Sequence, residues 1–147
     1  MAIVITDATV DDADAYFLTR LNSEAWTNGD EDGKKAALVT AANLLNAMEW
    51  EGRPYYSAAA FPRYLDGRTL STPTMVLWAL YEQAIHLLVN PGVLQEDETV
   101  QTLVVGPIHL ENLGVVALIP KIVMRYIGPY TRSSGILTGA GSWWRAN

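Results

Sequence analysis

The chain has 147 residues, half of them hydrophobic, no cysteine and a formal net charge of −6. One domain is the expectation at that length, the apolar content is ample for a core, and the missing cysteines exclude disulfides and thiolate metal sites. The charge is polarised, from net −7 over residues 1–32, where Arg20 is the sole base, through −3 over 33–112 to +4 over 113–147, which suggests an end that meets an acidic partner, or identical subunits that meet head to tail.

The start, MAIVITDATVDDADAY, has no basic stretch and turns acidic at once, so no secretory signal and a soluble intracellular protein are expected. Thr9-Val10-Asp11-Asp12 reads as a capping box with Asp in the Glu place and predicts a short helix over 11–24. Asp11, Asp12 and Asp14 fall in its first turn, where the helix dipole favours them. Tyr16, Phe17 and Leu21 are expected to face inward, with Trp26 packed beneath the following turn. The acidic cluster lacks the glycine turn and distal Glu of a calcium loop, so no metal is expected there. Asn28-Gly29 marks a turn, and a second helix follows from Asp32 to Met48. Its many alanines let another helix pack close.

Residues 49–71 form a long connection with Gly52, Pro54, Pro62 and Asp66-Gly67. A loop this long in a compact domain is functional or packed by its own side chains. Trp50, Tyr55, Tyr56, Phe61 and Tyr64 are placed to pin it. Arg53, Arg63 and Arg68 interleave with them, the one stretch with the character of a nucleic-acid or phosphate surface. The competing reading is a loop packed on the bundle, its arginines in ion pairs and on ring faces. The acidic balance of the chain favours that reading, since phosphate binding is dominated by charge.

The rest of the chain is organised around Thr72–Asn90, TPTMVLWALYEQAIHLLVN. Thr72 is expected to cap this helix, Pro73 to open it and Pro91-Gly92 to close it. It is too apolar for a surface helix and must be buried on most sides. Glu82, Gln83 and His86 in mid-segment argue against a membrane span. Beyond an acidic run at Glu96-Asp97-Glu98, residues 100–111 read as a β-hairpin about Gly106-Pro107. Ile119–Ile127 reads as a last helix with Ile122, Val123 and Tyr126 inward. Residues 129–147 are rich in Ser, Gly and Thr and form an extended tail ending in Trp143-Trp144-Arg145. Trp and Arg are favoured interface anchors, so the tail is expected to dock on a partner or a neighbouring subunit.

The chemistry of an active site is missing from the sequence. It holds two histidines, far apart, and no HExxH, P-loop, GxGxxG or GxSxG motif. Nothing assembles a nucleophile, a base and an oxyanion stabiliser. No enzyme, no cofactor and no metal are expected. The fold class is mainly α: a small helical bundle over 1–128 with a long aromatic-rich loop, a short β-hairpin and an extended C-terminal tail.

A series of short motifs carries a family resemblance: Ala13-Asp-Ala-Tyr-Phe17, Leu21 to Trp26 (LNSEAW), Lys35-Ala-Ala-Leu38 with Ala41 to Leu45, Trp50-Glu-Gly-Arg53, Ala60-Phe-Pro-Arg63 and Asp66-Gly67, then the apolar helix. In this order, over roughly the first 90 residues, the chain resembles the tailed-bacteriophage head-completion, or head–tail adaptor, proteins. The nearest subgroup is often labelled DnaT-like single-stranded DNA-binding. The resemblance implies a ring of identical subunits, commonly twelvefold, bound beneath the portal protein at the capsid exit. A tail-side connector or tail terminator lies on its other side, and genomic DNA passes through its lumen without specific binding. It implies location in the virion at the head–tail junction, host cytoplasm during assembly, and no membrane. The portal-docking residues are then Tyr130, Arg132, Ile136, Leu137, Trp143, Trp144 and Arg145. The alternative is a single-stranded DNA-binding replication accessory protein with Arg53, Arg63 and Arg68 as its surface.

Overall fold

The computed structural model describes residues 7–56, 60–95, 102–105, 108–111 and 116–132. Among the described residues five α-helices and five short strands follow one another: α1 (Asp7–Leu18), α2 (Glu24–Thr27), α3 (Glu31–Asn46), β1 (Arg53–Pro54), β2 (Arg63–Leu65), β3 (Arg68–Leu70), α4 (Thr74–Val89), β4 (Thr102–Val105), β5 (Ile108–Glu111) and α5 (Lys121–Ile127). The protein is mainly helical, as its composition and periodicity indicate.

Helix α4 is the centre. Nine of its 16 residues are buried, and α1, α2, α3 and α5 all pack on it. The largest contact is with α3, whose inward stripe is Ala37, Leu38, Ala41, Ala42 and Leu45. Three alanines in that stripe bring the two backbones close, and the leucines fill what remains. Leu38 and Leu80 are fully buried, so truncating either to alanine would cost about 2–5 kcal/mol. Helix α3 opens on Asp30, whose carboxylate accepts from the Gly33 amide at 3.4 Å. Glu31 and Asp32 sit in its first turn, where the exposed amides favour negative charge.

Several boundaries differ from the sequence reading. Helix α1 begins at Asp7, ahead of the expected capping box, so Thr9 lies inside it. It stops at Leu18, and Asn22 takes a positive φ of 56° before α2 begins. That turn carries Leu21 out of the core to 86% exposure, although Trp26 is buried at 1%. The cap of α4 is Pro73, not Thr72, and no side chain caps the helix. On α5 the buried residues are Val123 and Ile127, whereas Ile122 is 38% exposed.

The connection over 49–71 is a three-stranded antiparallel sheet of order β1-β2-β3. Arg53 pairs with Tyr64 and Leu65 with Arg68. Between Leu65 and Arg68, Asp66 and Gly67 take φ of 50° and 76°. Two positive φ values across a two-residue loop make the tight turn that matches strand twist. The second hairpin pairs Thr102 with Glu111 and Val105 with Ile108, the strands expected there.

Candidate interaction surfaces

Three polar residues of α4, Glu82, Gln83 and His86, each hold another segment of chain. Glu82 is 2% exposed and accepts both Arg20 Nε and Nη2 at 2.8 Å. Its Oε1 also accepts the Tyr16 hydroxyl at 2.8 Å. Arg20 Nη1 donates to the carbonyls of Leu21 and Asn22, which fixes the turn after α1. Burial first, then the Glu82 carboxylate, pushes the Tyr16 hydroxyl far above the usual tyrosine range. The Tyr16 ring lies against Tyr81 and Trp78, and Trp78 against Tyr126 of α5. Next along the helix, Gln83 Nε2 donates to the Leu118 carbonyl at 2.9 Å, and one turn on from Glu82, His86 Nε2 donates to the Ala117 carbonyl at 2.7 Å. The segment leading into α5 is thereby tied to α4. His86 acts in structure here, its Nδ1 facing the Asn90 amide.

An open cavity of about 260 Å³ lies between these ties, with Arg20 and Asn22 on one rim and Pro120 and Ile122 on the other. Exposed apolar side chains surround this side of the molecule: Leu21 at 86%, Val89 at 57% and Leu118 at 40%.

A second surface is built by the sheet. Directly paired residues share a face, so Arg53, Tyr64 and Thr69 lie together. Tyr55 joins them, its ring 5.3 Å from Tyr64, with Tyr56 edge-on beside it. The Arg53 guanidinium stacks 5.1 Å from the Tyr64 ring centre. Arg53, Tyr55 and Tyr56 are exposed. Arg68 is exposed too, but it pairs with Leu65 and so belongs to the opposite face.

Arg63 does not join that surface. It is 7% exposed, and its guanidinium donates to the carbonyls of Trp50, Glu51, Gly52 and Ala60 at 2.8–3.1 Å. Burial, and then the charge of Arg132, lowers its pKa from the usual arginine value. The residue is a knot that closes the loop on itself. The segment it grips also holds the chain's exit from the bundle. Glu51 N donates to the Tyr130 carbonyl at 2.8 Å, Arg132 N donates to the Glu49 carbonyl at 2.9 Å, and Trp50 and Thr131 form an antiparallel bridge.

Of the expected docking residues, Tyr130 is half-buried against the core and Arg132 is exposed beyond the bridge. Packing of the body thus continues past residue 128. Ile136, Leu137, Trp143, Trp144 and Arg145 lie outside the described residues. Sequence reasoning missed the Arg20–Glu82 pair. Its signal was there: Arg20 is the single base among the first 32 residues, and Glu82 the single formal charge of α4. Among the described residues no group of His, Asp and Glu is disposed to hold a metal, and no helix is long and apolar enough to cross a membrane.

The model of a family described as "Putative DnaT-like ssDNA binding protein" matches residues 6–131. No curated protein and no solved structure matches the chain.

Proposed function

The chain belongs to this DnaT-like family, and on that premise we propose that it is a structural subunit of a tailed-bacteriophage virion, the head–tail adaptor. In this reading it forms a ring beneath the portal protein, meets a tail-side connector or terminator on its other face, and lets the genome pass through its lumen. It is not an enzyme and uses no cofactor. It works at the head–tail junction after assembly in the host cytoplasm.

The observation that carries the reading is the exposed apolar surface of a well-packed bundle. Leu18 and Leu21 are both 86% exposed, and Val89, Leu118 and Ile122 are exposed as well. A monomer has no use for that surface, whereas a closed ring buries unlike patches of each subunit against its neighbours. The net charge of −6 supports it further, because an acidic lumen repels DNA and lets it slide.

The test is electron microscopy of this protein co-expressed with the portal protein of the same genome. A second ring stacked on the portal is expected; a bare portal would overturn the proposal. In the same preparation, Trp143→Ala with Trp144→Ala lowers portal binding more than Arg145→Ala does.

The second reading, a single-stranded DNA-binding accessory protein, is favoured by the family description and by the Arg53–Tyr55–Tyr64 face. Bases stack on exposed aromatics beside arginine. With net −6 and Arg63 buried, the phosphate attraction is weak. Titration of a fluorescent oligothymidine at near-physiological salt separates the readings. The adaptor shows no binding there, and a tight complex lost on Tyr64→Ala selects the second reading.

A further inference from the structure

Helices α1 and α5 both pack on α4, α1 through Tyr16 and through Arg20 just past its end, α5 through its buried Val123 and Ile127. Each turns an unpartnered flank outward. On α1, Asp11, Ala15 and Leu18 are exposed at helical spacing, with Asp12 beside them. On α5, Lys121, Ile122 and Arg125 are exposed, continuing from Leu118. One flank is acidic at its start and apolar at its end; the other is basic and apolar. Among the described residues none of Asp11, Asp12, Lys121 and Arg125 forms an ion pair within the chain.

We infer that the α1 flank of one copy packs on the α5 flank of the next. This rests on the ring reading and names the two faces that close it. The occupant is a second copy of this chain, because the flanks complement each other in charge and in apolar content. Unlike faces generate a head-to-tail contact, the kind that closes a ring. The polarity of the whole sequence, acidic first and basic last, is then a device for assembly. Opposite charges steer the encounter and like charges at the joint oppose it.

The test reverses each flank in the full chain. Variant one carries Asp11→Lys and Asp12→Lys, and variant two carries Lys121→Glu and Arg125→Glu. Assembly is followed by sedimentation velocity of the protein alone and by microscopy on the portal. Circular dichroism confirms each fold. Each variant alone is expected to need at least about tenfold more protein to assemble, from like charges now facing each other. Combining all four changes in one chain, or mixing the two variants, restores assembly, since every joint again pairs opposite charges. Leu18→Ser weakens assembly without loss of helix content. If the wild type assembles and the reversed variants assemble equally well, this interface is wrong and the ring reading stands. Loss without rescue also overturns it, because like faces meeting about a two-fold axis gain nothing from the swap. A wild type that stays a single subunit both alone and with the portal overturns the ring reading itself.

Discussion

Arg20, two residues past the end of α1, grips Glu82 in the middle of α4 through two 2.8 Å hydrogen bonds. The fork matches the carboxylate, and Tyr16 adds a third bond to Oε1. Glu82 is nearly inaccessible, while the Arg20 side chain is 29% exposed. A pair of this kind adds little over well-packed apolar residues, yet removing one partner strands the other. Its effect is to set where α1 sits on α4, and therefore where the acidic flank stands.

Glu82→Gln should lower stability by about 2–4 kcal/mol, since the amide cannot accept the fork and leaves Arg20 partly buried without its counter-charge. Arg20→Met with Glu82→Leu should lose much less than the sum of the single changes. Denaturant unfolding of the four proteins of the cycle measures this. Additive losses would show that the two side chains are not coupled.

Asp14 ties three helices together, accepting Trp26 Nε1 at 2.6 Å and Lys34 Nζ at 3.0 Å. Burial alone would raise its pKa, but the bonds from Lys34 and Trp26 outweigh that and hold it below the usual aspartate value. A depressed folded value means that the unfolded chain takes up a proton first as pH falls. The stabilisation is present above the unfolded value of about 3.9 and fades as pH drops through the folded one. Unfolding followed from pH 7 to pH 3 should therefore show a steeper acid loss for the wild type than for Asp14→Asn. Parallel curves would mean that Asp14 plays no part in the acid transition.

Gly52 and Gly67 both hold positive φ, 74° and 76°, yet they should respond differently to alanine. At Gly67 a Cβ meets nothing within 4 Å, so only the backbone conformation resists, about 1 kcal/mol. At Gly52 the same Cβ would fall 2.0 Å from the Tyr64 carbonyl oxygen. That contact cannot be relieved without shifting β2, which carries Arg63 and its bonds to the loop. Gly52→Ala should cost at least about 3 kcal/mol, strain added to the backbone term. Thermal unfolding of the two variants side by side decides it; equal losses would mean that the backbone yields at Gly52.

The helical frame was legible because α3 and α4 announce themselves by periodicity: Leu38, Ala41, Ala42 and Leu45 recur at helical spacing, and α4 is apolar nearly all round. The sheet over 53–70 was hidden because its strands are two or three residues long, too short for alternation to register. The Asp66-Gly67 turn was its single local signal, and the flanking residues carry no apolar alternation. Leu21 was misplaced because apolar character predicts burial only if the helix continues, and Asn22 at positive φ ends that continuation. The packed-loop reading covered Arg63 but not its partners, for a different reason. Sequence shows its charge and its aromatic neighbours, but four carbonyls converging on one guanidinium are a property of the folded loop.

The bridge of Trp50 with Thr131 says where the tail can be cut. The sequence places its start at residue 129, yet Tyr130 and Arg132 are bonded through their backbones to Glu51 and Glu49. Those two hydrogen bonds and the packing of Tyr130 are worth about 2 kcal/mol together. A chain ending at Ile127 should therefore be less stable than one ending at Arg132 by about that amount, measured by denaturant unfolding. Both lack Trp143, Trp144 and Arg145, so on the adaptor reading neither joins the portal. The longer chain separates the two effects: it keeps the clamp and loses only the anchors. If it joined the portal as the full chain does, docking would belong to the body, and the Trp-ended tail would have some other use.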